Sequence, residues 1–243
     1  MSRRDGWARG APVPVQAVVF DLDGTLLDTE GWYRQAFMAA AAELGFVVPA
    51  ALYASLVGIA SRARGERLRQ AFGPDFPLDA FLAAYYAHRS RLLPARIPLC
   101  PGVPALLRRL DRPKAVATSA SRRTATAHLW RAGIAEHFRH VVTRDDVALG
   151  KPAPDSFLLA ADLLGVPPGA CVAVEDSVPG VVAALAAGMQ VIMVAPAAPS
   201  AVRDRCLAVV KGLEEASVLL APAGICEGTG PDARAEPLGS FSR

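Results

Sequence analysis

Short apolar runs alternate with helix-period segments along most of this chain, and that alternation leaves few folds open. Runs at 15–20, 115–118, 141–142, 171–174 and 191–194, with a weaker one at 207–210, read as strands. Helical patterns at about 121–132, 154–164, 178–187 and 199–204 fall between the later runs. Strand–helix–strand units repeated in series need right-handed crossovers, which build a parallel sheet covered by helices on both faces. The first run ends in Ala17-Val18-Val19-Phe20 with no polar alternation, as expected of a strand buried on both sides. The expected fold class is α/β, a doubly wound parallel Rossmann-like sheet.

The interval 30–95 breaks the rhythm. It is rich in Ala, Leu and Arg, has helical periodicity and shows no convincing strand. It is too long for a loop and suits a small helical bundle. The organisation expected is an α/β core formed by 15–29 and 96–221, with a helical domain inserted at 30–95. Segments 1–14 and 222–243 are rich in Gly, Pro and charge and read as flexible tails.

Several function classes are disfavoured. The formal charge of +3 comes from dispersed basic residues, so no nucleic-acid partner is expected. "MSRR" is not followed by an apolar stretch of the kind a signal peptide carries. The apolar stretch around 181–195 is interrupted by Gly188 and Gln190 and falls short of the ~20 residues of a membrane span. Cys100, Cys171, Cys206 and Cys226 are widely spaced and form no CxxC pair, which fits reduced thiols better than zinc or disulfides. The expectation is a cytoplasmic protein with no membrane partner.

The chemistry is concentrated where strands end. "AVVFDLDGTLLDTE" sets Asp21 and Asp23 at the mouth of the first strand. An Asp-Gly turn accounts for Asp23-Gly24 but leaves Asp21 unexplained. Ligands of open α/β sheets bind beyond the carboxyl ends of the strands. There the second strand supplies "TSAS" (Thr118, Ser119, Ala120, Ser121), the segment after the third supplies Lys151, and the fourth ends in Glu175-Asp176. Four carboxylates at one site need a cation, and hard oxygen donors with open positions suit Mg²⁺. Lys151, Ser119 and the backbone N–H groups entering the next helix, Ala120 included, suit a bound anion. Metal, ammonium and hydroxyl together meet the needs of phosphoryl transfer.

"DLDGTL", "TSAS", "GKPAPDSF" and "VEDSVPGVVAALAAGMQVIMV" occur in order over about 15–213 and resemble the haloacid dehalogenase-like hydrolase superfamily, in its helical-cap subgroup. The resemblance implies that 30–95 is the cap and that Asp21 is a nucleophile forming an aspartyl-phosphate. It implies Asp23 as general acid/base, with its backbone carbonyl joining Asp21 and Asp176 on the metal. Glu175 then holds metal waters or Lys151, while Ser119 and Lys151 clamp the phosphate. An acid two residues after the nucleophile favours phosphate esters over halides, because halide leaves without a proton. The function implied is a Mg²⁺-dependent phosphatase for a small phosphorylated metabolite, a sugar or nucleoside phosphate, acting as a monomer. The alternatives are a β-phosphoglucomutase-type mutase and a non-catalytic regulatory protein. The mutase is disfavoured because its histidine soon after the "DT" pair corresponds to Tyr33, and "SRARGER" replaces its Arg-acid-Asp run.

Further candidates divide between functional and structural readings. Thr29, with Asp28, reads as a helix N-cap or a hinge contact. Arg62 and Arg64 read as substrate contacts from the cap or as surface arginines, and Arg122, with Arg123, as an anion contact or an exposed first turn. His88, His128, His137 and His140 lack metal spacing and read as surface or partly buried. Trp32, Tyr33, Tyr85 and Tyr86 read as cap packing, with a cleft-facing role open for Tyr33.

Overall fold

The computed structural model of the chain describes residues 14–57, 61–195 and 198–220, apart from the side chains of 61–63. The segments expected as tails lie outside the described residues, save Pro14.

The first strand, β1 (Ala17–Phe20), is followed by four helices, α1 (Glu30–Glu43), α2 (Ala50–Leu56), α3 (Ser61–Phe72) and α4 (Leu78–Leu92). The chain then returns through α5 (Val103–Arg109) to β2 (Lys114–Ala117), α6 (Arg122–Ala132) and β3 (His140–Val142). Next come α7 (Asp155–Leu164), β4 (Cys171–Glu175), α8 (Val178–Ala186), β5 (Gln190–Val194), α9 (Ser200–Arg203), β6 (Ala208–Val210) and α10 (Leu213–Leu220). The weak run near 207–210 is thus a true edge strand. Helices α5 and α10 had no counterpart in the sequence reading; each is short, and α10 completes the packing over α5.

The six strands are all parallel, in the order β3-β2-β1-β4-β5-β6. Side chains along β1 alternate between two cores, as a pleated strand requires. Val18 and Phe20 face a cluster that includes Leu106, Leu129 and Leu213, on the side of α5, α6 and α10. Ala17 and Val19 face Phe157, Val181 and Val202, on the side of α7, α8 and α9. With both faces covered, every residue of β1 and β4 is buried.

Strand order reverses between β1 and β4, because β2 and β3 extend one way from β1 and β4–β6 the other. Such a switch point opens a crevice at the strands' carboxyl ends. Register aligns the tips: Phe20 pairs with both Val116 and Val174. The residues that follow, Asp21, Ala117 and Glu175, therefore stand level.

Helices α1–α4 form an inserted helical cap domain with its own apolar cluster. Phe37 meets Phe81 edge-on at 4.8 Å between centroids and Tyr85 at 5.9 Å, locking α1 against α4. Trp32 does not belong to that cluster; it packs on the sheet-side core with Phe20 and Ile97. Two connections join cap and sheet, and they are tied together by Asp28 N–H to Pro98 C=O (3.0 Å) and Cys100 N–H to Leu26 C=O (3.0 Å).

Candidate active site

Lys151 is the centre of the buried charge. Only 3% exposed, its Nζ donates to Asp21 Oδ1 (2.5 Å), Glu175 Oε1 (2.5 Å) and the Ala117 carbonyl (2.9 Å), so all three protons of the ammonium are used. Burial opposes its charge, but Asp21 and Glu175 outweigh that and hold it protonated, well above the ordinary lysine range. Glu175 is fully buried at the end of β4, and its second oxygen accepts from Ser177 N–H and Oγ–H, both at 2.9 Å. Ser177 also caps α8 by accepting from Gly180 N–H. This carboxylate leaves no room at Gly180: a Cβ there would lie 1.7 Å from Glu175 Oε1. The "EDSVPG" stretch is thus one rigid strand–turn–helix unit aimed at Lys151.

Asp21 and Asp176 stand in front of that pair. One carboxylate oxygen each from Asp21, Glu175 and Asp176 falls within 4.8 Å of the others. Three carboxylates against one ammonium leave the cluster acidic. Burial raises the Asp21 carboxyl well above the usual range despite Lys151, with Glu175 and Asp176 adding to the rise. Burial and then the charge of Glu175 push Asp176 up to about 7. An all-oxygen cluster that resists ionising without a further cation fits Mg²⁺. Gly24 makes the approach possible, having a φ of +90° and a position where a Cβ would lie 2.2 Å from Asp176 Oδ2.

Asp23 points elsewhere. Its side chain is outside the carboxylate trio, and Oδ1 accepts from Tyr33 O–H (2.8 Å) and Thr29 Oγ–H (2.9 Å). His128 Nδ1 lies 3.5 Å from the same oxygen. Burial pushes the carboxyl up, but His128, Tyr33 and Arg89 prevail and set it below the ordinary value. Thr29 stands at the N-cap position of α1, but its hydroxyl makes no capping bond and serves Asp23 instead.

A cavity of about 440 Å³ opens over these groups, lined by Asp21, Asp23, Lys151, Asp176 and Ser119 from the sheet side. From the cap come Tyr33, Tyr53, Arg64, Tyr86 and Arg89. Ala120 lines it too, but its N–H is donated to Thr118 Oγ1 at 3.0 Å. Arg64 of the sequence candidates thus reaches the cavity; the side chain of Arg62 lies outside the described residues. Arg122 is corrected: it is absent from the lining, and its guanidinium is spent on Asp146 and the Val141 carbonyl. Tyr86 is 44% exposed and lines the cavity rather than packing the cap.

Two residues were missed. His128 is 3% exposed, not a surface histidine. The signal was its place on the apolar stripe of α6, Ala125-His128-Leu129-Ala132, all buried. Arg89 follows Phe81 and Tyr85 at helical spacing on α4, so it continues that helix's inner face.

Known proteins resemble this chain in sequence and fold. The family model for haloacid dehalogenase-like hydrolases matches residues 15–188. The chain belongs to that family. It is 35% identical to the fructose-1-phosphate phosphatase YqaB of Escherichia coli, over 72% of this chain and 94% of that one. It is 32% identical to a phosphorylated carbohydrates phosphatase of Thermotoga maritima, over 72% and 83%. A solved structure of a CbbY variant from Rhodobacter sphaeroides in complex with xylulose-(1,5)bisphosphate superposes with a TM-score of 0.69 at 28% identity, covering 83% of this chain and 96% of that one. The haloacid dehalogenase-like chain described here is a phosphoric monoester hydrolase. Among the described residues, no helix is long and apolar enough to cross a membrane.

Proposed function

We propose that this phosphatase acts on a small phosphorylated metabolite, a sugar phosphate first and a nucleoside phosphate second, through an aspartyl-phosphate on Asp21. The observation that carries the reading is the meeting of Asp21, Lys151 and Asp176 at the tip of β1, under one cavity with Asp23 at its side. Asp21 Oδ1 is held by Lys151, which leaves Oδ2 to attack phosphorus. Asp23, which its surroundings keep ionised beforehand, takes up a proton from solvent as substrate binds, and as the P–O ester bond breaks it passes that proton to the leaving oxygen. Asp23 then removes a proton from water, the water oxygen attacks phosphorus, and phosphate departs with Asp21 restored. Ser119 stabilises the phosphoryl oxygens with its hydroxyl, and Lys151, whose three protons are already held, does so through its charge.

Asp21, Asp176 and the Asp23 carbonyl would hold Mg²⁺, with Glu175 behind them fixing Lys151. When bound, the ion neutralises the carboxylates and the charge on the transferring group. The cavity volume suits a metabolite of sugar size. The names of the two phosphatases above support a carbohydrate leaving group. Arg64 and Tyr53, from the cap wall, are the proposed specificity contacts.

The test is phosphate release across phosphorylated sugars and nucleotides with Mg²⁺. Turnover is expected on at least one sugar phosphate, with reversible loss in EDTA, and no isomerisation of glucose 1-phosphate with a bisphosphate primer. Silence across the whole panel would overturn the reading. Metal removal has a pH signature. In the metal-free protein the Asp176 carboxyl, raised to about 7 by burial and Glu175, contributes relative stability below its unfolded value that is lost as pH rises through about 7. Mg²⁺ competes with that proton, so the Mg²⁺-induced rise in Tm should be small at pH 5 and full at pH 8. A rise independent of pH would contradict the assignment of Asp176.

A further inference from the structure

We propose that Tyr33, itself fixed by Arg89, is a positioning residue that aims the Asp23 carboxylate for proton transfer, so that assembly of the cap and readiness of the acid are one condition. The inference rests on the phosphatase reading above. Three elements converge on one oxygen atom. Asp23 Oδ1 receives Thr29 from the loop after β1 and Tyr33 from α1, and it faces His128 from α6. His128 Nδ1 is also 3.3 Å from the Tyr33 oxygen, so the core helix closes the ring of contacts.

Arg89 determines which way the phenol points. Its Nη2 donates to the Tyr33 oxygen at 2.8 Å, and its guanidinium carbon lies 4.1 Å from the centroid of the Tyr33 ring. A guanidinium has donors only, so the Tyr33 oxygen accepts from Arg89 with a lone pair. The phenolic proton is then left for Asp23 Oδ1. The cation over the ring holds the aromatic plane as well. All the named contacts fall on Oδ1, which leaves Oδ2 as the oxygen that exchanges a proton with the leaving group and then with water. Arg89 lies on α4 and Asp23 beside the sheet, so the aim of the acid exists only when α1 and α4 are packed together as Phe37, Phe81 and Tyr85 pack them.

This differs from a packing role in one measurable way. An acid matters in proportion to the basicity of the group it protonates. Tyr33→Phe keeps the ring and the cation over it and deletes the hydroxyl, with its hydrogen bonds to Asp23 and from Arg89. We expect kcat/KM on a sugar phosphate, an alkyl ester, to fall roughly ten- to hundred-fold. On p-nitrophenyl phosphate, whose leaving group needs little protonation, the fall should be at most about three-fold. The slope of log kcat/KM against leaving-group basicity therefore steepens. Arg89→Met should show the same selective pattern at smaller size, and the double variant should be no worse than Tyr33→Phe. Arg89→Met also serves if Tyr33→Phe fails to fold, judged by its thermal melt. Equal losses on both esters, or no loss, overturn the positioning role while the phosphatase reading stands. A wild-type protein that releases phosphate from neither ester overturns both.

Discussion

Asp21→Asn is expected to lower phosphate release by roughly four orders of magnitude or more while leaving the protein at least as thermostable as the wild type. The activity loss follows from removing the only atom proposed to bond phosphorus, an effect no neighbouring group can offset. The stability result follows from the charge around it. The buried carboxyl of Asp21 sits well above its ordinary range, driven first by desolvation and then by Glu175 and Asp176. Its ionised form is therefore a burden on the metal-free fold at neutral pH. Asparagine keeps the shape without that charge, and Lys151 keeps Glu175 as partner. A thermal melt in EDTA at pH 8 together with a phosphate-release assay checks both halves. Substantial residual turnover would refute the nucleophile.

Lys151→Met should have the opposite profile, losing both activity and stability. Removing one partner of a buried ion cluster costs about 3–5 kcal/mol, because the remaining charges stay buried and uncompensated. Here two such charges remain, Asp21 and Glu175. For a domain of this size the drop in Tm is on the order of 10 °C. The sign of its pH dependence is fixed. Carboxylates deprived of their cation titrate higher, so the deficit is full at alkaline pH and shrinks as pH falls and they protonate. A deficit that grows on acidification would mean that Lys151 does not hold these carboxylates together.

The two variants separate the roles the site combines. On this account Asp21 costs the metal-free fold, whereas Lys151 would serve both the fold and the proposed chemistry. Such a division is common where binding sites store strain that the rest of the structure offsets.

How much of this was legible in the sequence depends on where each residue acts. Strands ending in Asp21, Thr118 and Glu175 could be read because a doubly wound sheet brings strand tips to one edge whatever the loops do. The sheet and the inserted cap follow from the same alternation of periods. Helices α5 and α10 escaped because each has eight residues or fewer. Arg89 and His128 escaped for another reason. Their partners lie on other elements: Arg89 meets Tyr33, 56 residues away, and His128 meets the same hydroxyl from 95 residues off. Local spacing cannot report such meetings; the only local sign was a polar residue on the buried stripe of its helix. Arg122 failed in reverse. It stands where an anion contact would be expected, but Thr143 and Asp146 form a capping box beside it and Asp146 takes the guanidinium. Thr29 likewise carries a capping residue's identity and spends its hydroxyl on Asp23.

The most direct test is to catch the acyl phosphate. A single turnover with a phosphate ester, quenched in acid within milliseconds and digested, should yield a peptide spanning residues 17–30 with the mass of one added phosphoryl group on Asp21, removed by hydroxylamine. If phosphate is released with inversion at phosphorus and no peptide carries the added mass, the covalent route through Asp21 is wrong.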